Sequence, residues 1–175
     1  MILRLKRTPG IYLVGFKGSG KTTIGRLLAE RFEWPFADLD DDIEVSRGMT
    51  IAGIFAALGE EEFRRTERAA LEARLQRVQR GVSIILALGG GAYAQPGVPE
   101  LLAQNGITIW LDCPLDVAAR RVASFSHRPL ARDPERFTAL YAERQSVYAR
   151  ADYRIDSSSD ELRTAVEQIL SLDLI

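Results

Sequence analysis

Residues 15–22 read GFKGSGKT, preceded by the short apolar run 11–14 (IYLV) and followed by a stretch in which Ile24, Leu27, Leu28 and Phe32 recur with helical spacing. That is the eight-residue spacing of a phosphate-binding loop, in the strand–loop–helix context that gives the motif its weight. Gly15, Gly18 and Gly20 allow the tight turn that aims backbone N–H groups at phosphate oxygens, and the helix that follows adds the favourable field of its N-terminus. Lys21 reaches the β- and γ-phosphates of a nucleoside triphosphate, and the Thr22 hydroxyl suits Mg²⁺. Lys17 is not required by the loop geometry and reads as an ordinary solvated lysine.

Outward from this loop the chain alternates strand and helix. Residues 36–39 form a second strand candidate, and the acidic Asp40, Asp41 and Asp42 start a helix that Gly48 stops. Residues 50–58 read as a short helix and 60–80 as a longer one closed by Gly81. Residues 83–88 are the clearest buried strand and run into Gly89, Gly90 and Gly91. A helix over 96–104, a strand over 107–111, a helix over 115–122, a helix over 135–150, a strand over 153–155 and a helix over 160–172 complete the pattern. The expectation is an α/β fold with an open parallel five-stranded sheet and helices on both faces. It forms a single domain over residues 1–175, with residues 124–134 as a surface loop.

The 175 residues, 46% of them hydrophobic, suffice for one core. Lys plus Arg is 23 and Asp plus Glu 24, so the net charge of −1 gives no general reason to seek nucleic acid or an anionic membrane. Only Lys6, Lys17 and Lys21 are lysines, so the basic side is almost all arginine, the residue of bidentate anion contacts. Cys113 and His127 stand alone, which excludes an internal disulfide framework and a Cys- or His-rich metal centre. There is no secretory leader pattern and no run of eighteen apolar residues. The expected setting is cytoplasmic and the expected state monomeric.

Asp38 and Asp40 share an orientation if the strand stays extended through them, which offers one carboxylate for metal-bound water and one for a hydroxyl. Capping of the next helix is the competing role, and Asp41 and Asp42 keep it. On the helix over 60–80, Glu60 with Arg64 and Glu61 with Arg65 have solubilising i,i+4 spacing, whereas Glu67 lies three residues beyond Arg64 and can orient its guanidinium for a carboxylate ligand. Gly89, Gly90 and Gly91 follow a strand at the edge where open α/β sheets present ligands. Arg128 and Arg144 can approach a bound anion if the loop folds over that edge. Trp34, Trp110 and Cys113 read as packing residues.

The order of GFKGSGKT, DLDDDIE at 38–44, EEEFRRTE at 60–67, LGGG at 88–91, RPL at 128–130 and ERQSVYARAD at 143–152 resembles the shikimate kinases, over residues 9 to 156. The resemblance implies a fold like that of the nucleoside monophosphate kinases and ATP-dependent phosphorylation of the shikimate 3-hydroxyl. It implies that Gly15, Gly18, Ser19, Gly20, Lys21, Thr22 and Thr23 grip ATP, with Arg121 near adenine and Thr22 and Asp38 serving Mg²⁺. It implies that Asp40 contacts the acceptor hydroxyls, that Phe63 lies against the ring, that Arg64 and Arg144 take the carboxylate, and that Glu67 organises Arg64. Gly89, Gly90 and Gly91 belong to the acceptor pocket, and Arg128 is the lid arginine in a lid at about 122–135. DSSSDE at 156–161 departs from the proline-containing adenine loop common in the family. Two rivals share the nucleotide grip: another small-metabolite kinase such as gluconate kinase, and a regulatory nucleotide-binding module without transfer activity.

Overall fold

The computed structural model describes residues 10–124 and 133–174. Strands β1 (Gly10–Val14), β2 (Phe36–Asp38), β3 (Ile84–Ala87), β4 (Gly106–Asp112) and β5 (Tyr153–Asp156) form one sheet in the order β2-β3-β1-β4-β5. Every pairing is parallel, with Leu13 beside Ala87 and Ala87 in turn beside Asp38. All the crossovers therefore carry helices: α1 (Lys21–Phe32), α2 (Leu39–Arg47), α3 (Ile51–Gln79), α4 (Val98–Asn105), α5 (Leu115–Ala123) and α6 (Pro134–Tyr148), with α7 (Arg163–Leu170) after the last strand.

The period of two along each strand divides the core. Ile11 and Leu13 join Ile85, Ile109, Leu111 and Ile155 on the face covered by α1 and α7. Tyr12 and Val14 join Ile84, Leu86 and Trp110 on the other face, against apolar residues of α3 to α6. Strands buried on both faces read as unbroken apolar runs, which is why the sequence marks them without alternation.

The stretch expected as two helices, 50–58 and 60–80, is two helical segments meeting in a kink at Gly59, whose φ of 81° and ψ of 172° lie outside helical space. Thr50 caps its start by accepting from the Gly53 N–H. Asp40 lies at a helix start, as expected, so the extended geometry on which its shared orientation with Asp38 was conditional is not present. The strand ends at Asp38, and Asp40 lies in the first turn of α2, so the two carboxylates are brought together by a helix start and not by extended backbone. Among the described residues no helix is long and apolar enough to cross a membrane.

Because all strands run the same way, the segments following β1, β2 and β3 emerge at one edge. The order β2-β3-β1 sets them side by side although 87 and 14 are far apart in sequence. The chain reverses its winding direction between β3 and β4, on either side of β1, which is where an open α/β sheet leaves a crevice.

Candidate active site

The first helix has no side-chain cap and no acidic residue in its first turn; Gly20 precedes it at φ 93°. Its leading N–H groups are thus left for an anion, in contrast with α2, where the Asp38 side chain accepts from the Asp40 N–H and three acids occupy the first turn. Ser19 is fully buried beneath the loop and its Oγ has no hydrogen-bond partner. The Lys21 Nζ donates to the Gly15 carbonyl at 2.7 Å and the Phe16 carbonyl at 3.1 Å, which lays the ammonium over the loop. Phe16 itself packs edge-on against Phe137 and Tyr141, so the loop is keyed to α6.

Thr22 Oγ1 donates to Asp38 Oδ2 at 2.9 Å while Asp38 Oδ1 caps α2 at 3.0 Å. One oxygen of Asp38 thus makes the helix cap and the other meets the Thr22 hydroxyl. A hydroxyl and a carboxylate in contact at the mouth of a phosphate loop are hard oxygen donors of the kind Mg²⁺ takes when phosphates and water complete its shell. Among the described residues no cluster of three or more His, Cys, Asp or Glu is placed to hold a metal by itself.

The glycines after β3 form the floor of the other half. A Cβ at Gly89 would stand 2.7 Å from Asp40 Oδ1. One at Gly90 would stand 3.0 Å from Arg144 Nη1, and one at Gly91 would meet Arg64 Nη2 at 2.7 Å and Arg144 Nη2 at 2.9 Å. Any side chain here would collide with the very groups that line the site. Two guanidiniums eighty positions apart in sequence thus converge on one glycine, and each has a buried nitrogen without a partner, Arg64 Nε and Arg144 Nη1. Unpaired buried cationic donors are costly in a closed core and are groups that an anion would satisfy.

Arg64 is held by Glu67, Nη1 to Oε1 at 2.8 Å, with Glu60 more distant at 3.7 Å. Glu67 is 3% exposed. Burial pushes its carboxyl above the usual range, and Arg64 pulls it back. Asp40 also raises it and Arg144 lowers it, so the four charged groups act on one another.

Other residues fall less simply. Phe63 is buried, its ring 4.4 Å from that of Phe55 and 5.1 Å from the Arg64 guanidinium carbon. Arg121 donates to the Gly18 carbonyl at 3.0 Å and to the Ser159 carbonyl at 2.8 Å, joining the phosphate loop to the 156–161 segment that departs from the family pattern. Thr23 is exposed on the first turn of α1. Arg128 and His127 lie outside the described residues, as does most of the expected lid. Trp110 and Cys113 are buried as expected, and Trp34 packs against Phe32. Lys17, read as a solvated residue, is of intermediate exposure, with its Cγ 3.8 Å from where a Gly90 Cβ would be. Tyr148 was not foreseen at all. Its hydroxyl donates to the Gly90 carbonyl at 2.5 Å, and its place four residues after Arg144 on the same helix is the signal that marks it.

A phosphate loop beside a pocket with two carboxylates and two guanidiniums, on a parallel sheet of this order, defines a P-loop kinase acting on a small molecule. The shikimate kinase family model matches residues 17–173. A shikimate kinase of a Sulfurihydrogenibium species is 40% identical over 162 residues, covering 92% of this chain and 95% of that protein. One from Bradyrhizobium diazoefficiens is 42% identical over 150 residues, 84% of this chain and 70% of the relative. The structure of the Acinetobacter baumannii shikimate kinase in complex with shikimate superposes with a TM-score of 0.85 at 38% identity, covering 94% of this chain and 92% of that one. The chain belongs to the shikimate kinase family. A gluconokinase from Sinorhizobium meliloti shares the fold alone, at 16% identity and a TM-score of 0.56.

Proposed function

We propose that the chain transfers the γ-phosphoryl group of ATP to the 3-hydroxyl of shikimate, giving shikimate 3-phosphate and ADP. The observation that carries the acceptor is the convergence of Arg64 and Arg144 on Gly91 with unpartnered nitrogens, since an alcohol substrate with a carboxylate at its far side needs such a pair. A sugar acid such as gluconate also carries a carboxylate. The weight for shikimate comes from the A. baumannii complex at 38% identity, against fold likeness alone for the gluconokinase.

In this reading the uncapped start of α1, with the loop amides at Gly15, Gly18, Ser19 and Gly20, binds the phosphates, joined by Thr23, and Lys21 follows the transferring group. Mg²⁺ held at Thr22 and Asp38 would offset charge on the phosphate oxygens. Asp40, above Gly89, orients the attacking hydroxyl and is the group within reach of its proton. Arg64, fixed by Glu67, and Arg144 hold the carboxylate, so only one hydroxyl faces the nucleotide. Phe63 borders the ring. Arg121 flanks the adenine, and Arg128, from a lid at about 122–135, approaches the phosphoryl group and helps exclude water. The 175 residues act as one kinase domain, as a monomer, on these small molecules.

The test is coupled ADP production with ATP and Mg²⁺ over shikimate, gluconate and nucleoside monophosphates, with the product identified. Turnover that depends on shikimate and yields its 3-phosphate is the expected result, and turnover with gluconate alone rejects the reading. Arg144→Ala is expected to weaken shikimate binding by roughly one to two orders of magnitude, the worth of a charge-assisted bidentate contact, and to leave ATP binding as it was.

A further inference from the structure

Three glycines in a row have no side chains to hold their peptide planes, and each has wide backbone freedom. A pocket floor built from them needs outside anchors. Each carbonyl has one: Gly89 accepts from the Ala92 N–H at 3.0 Å, Gly91 from Gln95 Nε2 at 3.1 Å, and Gly90 from the Tyr148 hydroxyl at 2.5 Å. The first two anchors belong to the same turn as the glycines. Tyr148 alone reaches in from α6, the helix that carries Arg144.

Its side chain is wholly buried, and the ring stands 6.2 Å from that of Trp110. Phenylalanine would fill the same space without the need to satisfy a hydroxyl, so the oxygen calls for a reason beyond packing. The environment supplies one. That oxygen lies 3.7 Å from where a Gly90 Cβ would be, and Arg144 Nη1, which has no hydrogen-bond partner, lies 3.0 Å from the same point. A trans peptide is planar, so fixing the Gly90 carbonyl toward Tyr148 points the Gly91 N–H in the opposite direction within that plane.

We propose that Tyr148 is a positioning residue for the acceptor: its hydroxyl ties the Gly90–Gly91 peptide to the helix bearing Arg144, so that the floor of the pocket and the guanidinium above it keep one spacing. This rests on the reading of the pocket as the shikimate site. Burial pushes the phenol up to about 12, with Arg144 pulling the other way, so the hydroxyl remains a donor across the range in which the enzyme would be assayed.

Tyr148→Phe deletes the oxygen and keeps the ring, so its cost falls on the tie and not on the core. The expected result is a rise of about tenfold in KM for shikimate, with KM for ATP unchanged, since one hydrogen bond to a backbone carbonyl is lost from one substrate's site only. In an Arg144→Ala background the same change is expected to add under about twofold, because the partner it aligns is gone. A lowered Tm with both KM values unchanged overturns the proposal and leaves Tyr148 a packing residue. So does an equal rise in both KM values, or full additivity with Arg144→Ala. If the unaltered chain shows no shikimate-dependent turnover, it is the substrate reading that fails, and that outcome is read before any variant is compared.

Discussion

The phosphate loop and the acceptor pocket adjoin at one sheet edge but are built in opposite ways. The loop is eight consecutive residues whose turn and helix start are local, with Lys21 bonded to carbonyls five and six residues before it. The pocket draws Asp40 from α2, Arg64 and Glu67 from α3, the glycines from the turn after β3, and Arg144 and Tyr148 from α6. Nothing local relates these groups. They meet because three parallel strands lie in the order β2-β3-β1 and because Phe16 locks the loop to α6. A phosphate grip can therefore be carried by many chemistries, whereas the acceptor is specified by how the whole sheet is wound.

If that division holds, the largest effect belongs to the residue at the seam. Asp40 sits over Gly89 on the acceptor side, yet the hydroxyl it serves must meet the nucleotide. Asp40→Asn keeps the shape and removes the charge, and is expected to lower kcat about 10²- to 10⁴-fold, the usual range for a positioned acid–base group. The dissociation constant of ATP should stay as it is, measured by titration without acceptor. An equal loss in nucleotide affinity would show that the two regions are not separable; unchanged turnover would remove Asp40 from the reaction.

A smaller effect sharpens the acceptor side alone. The Glu67 carboxyl is raised above the usual range by burial, so on acidification it takes up its proton sooner than an exposed glutamate would. Its neutral form no longer holds Arg64 as a charged partner. KM for shikimate should therefore climb as pH falls, beginning above the ordinary carboxylate range, while KM for ATP stays level. The stability sign runs the other way. A raised folded-state pKa means the native state binds the proton more tightly than the unfolded chain, so this group's contribution to stability increases as pH falls through the window and decreases as it rises. Glu67→Gln should fix KM for shikimate at a value roughly tenfold higher and abolish its acid-side climb. A persistent climb in that variant would move the titration to another group.

The contrast between local and assembled parts also explains what could be read in the sequence. The strands and the phosphate loop were legible because an apolar run, a glycine spacing and a helical period are properties of neighbouring residues. The bounds of β1, β3 and β4 differ from the expected ones by a residue or so. The pairing of Arg64 with Glu67 was legible for the same reason, being a spacing of three on one helix. Arg144 could be marked only as an arginine able to approach an anion, and its role toward a carboxylate came from family resemblance, since a lone arginine on a helix carries no mark of its partner across the sheet edge. Tyr148 was missed because it acquires its place from Gly90, which only the fold brings near. Asp40 was legible as a helix start, but its orientation relative to Asp38 was not: the β2 strand stops two residues before it, and the cap that Asp38 makes is what turns the chain.

Asp42 supplies the smallest effect and the sharpest control, because it is two residues from Asp40 and of the same type. Its two oxygens accept from Arg74 Nε and Nη2, both at 2.6 Å, which ties α2 to the C-terminal part of α3. Both side chains are about three-quarters buried, at 25% and 24% exposure, so this bidentate pair is worth more than an open surface bridge yet retains enough solvent to be discounted from a fully buried one. Asp42→Asn should cost about 1 kcal/mol in denaturant unfolding, seen as a shifted midpoint at constant slope. Its kcat and both KM values should stay within about twofold of the unaltered chain. The two substitutions exchange the same atoms in the same helical turn. A kinetic loss in Asp42→Asn to match that of Asp40→Asn would mean that α2 serves the reaction through its docking on α3, and that the carboxylate over Gly89 has no special claim to the acceptor hydroxyl.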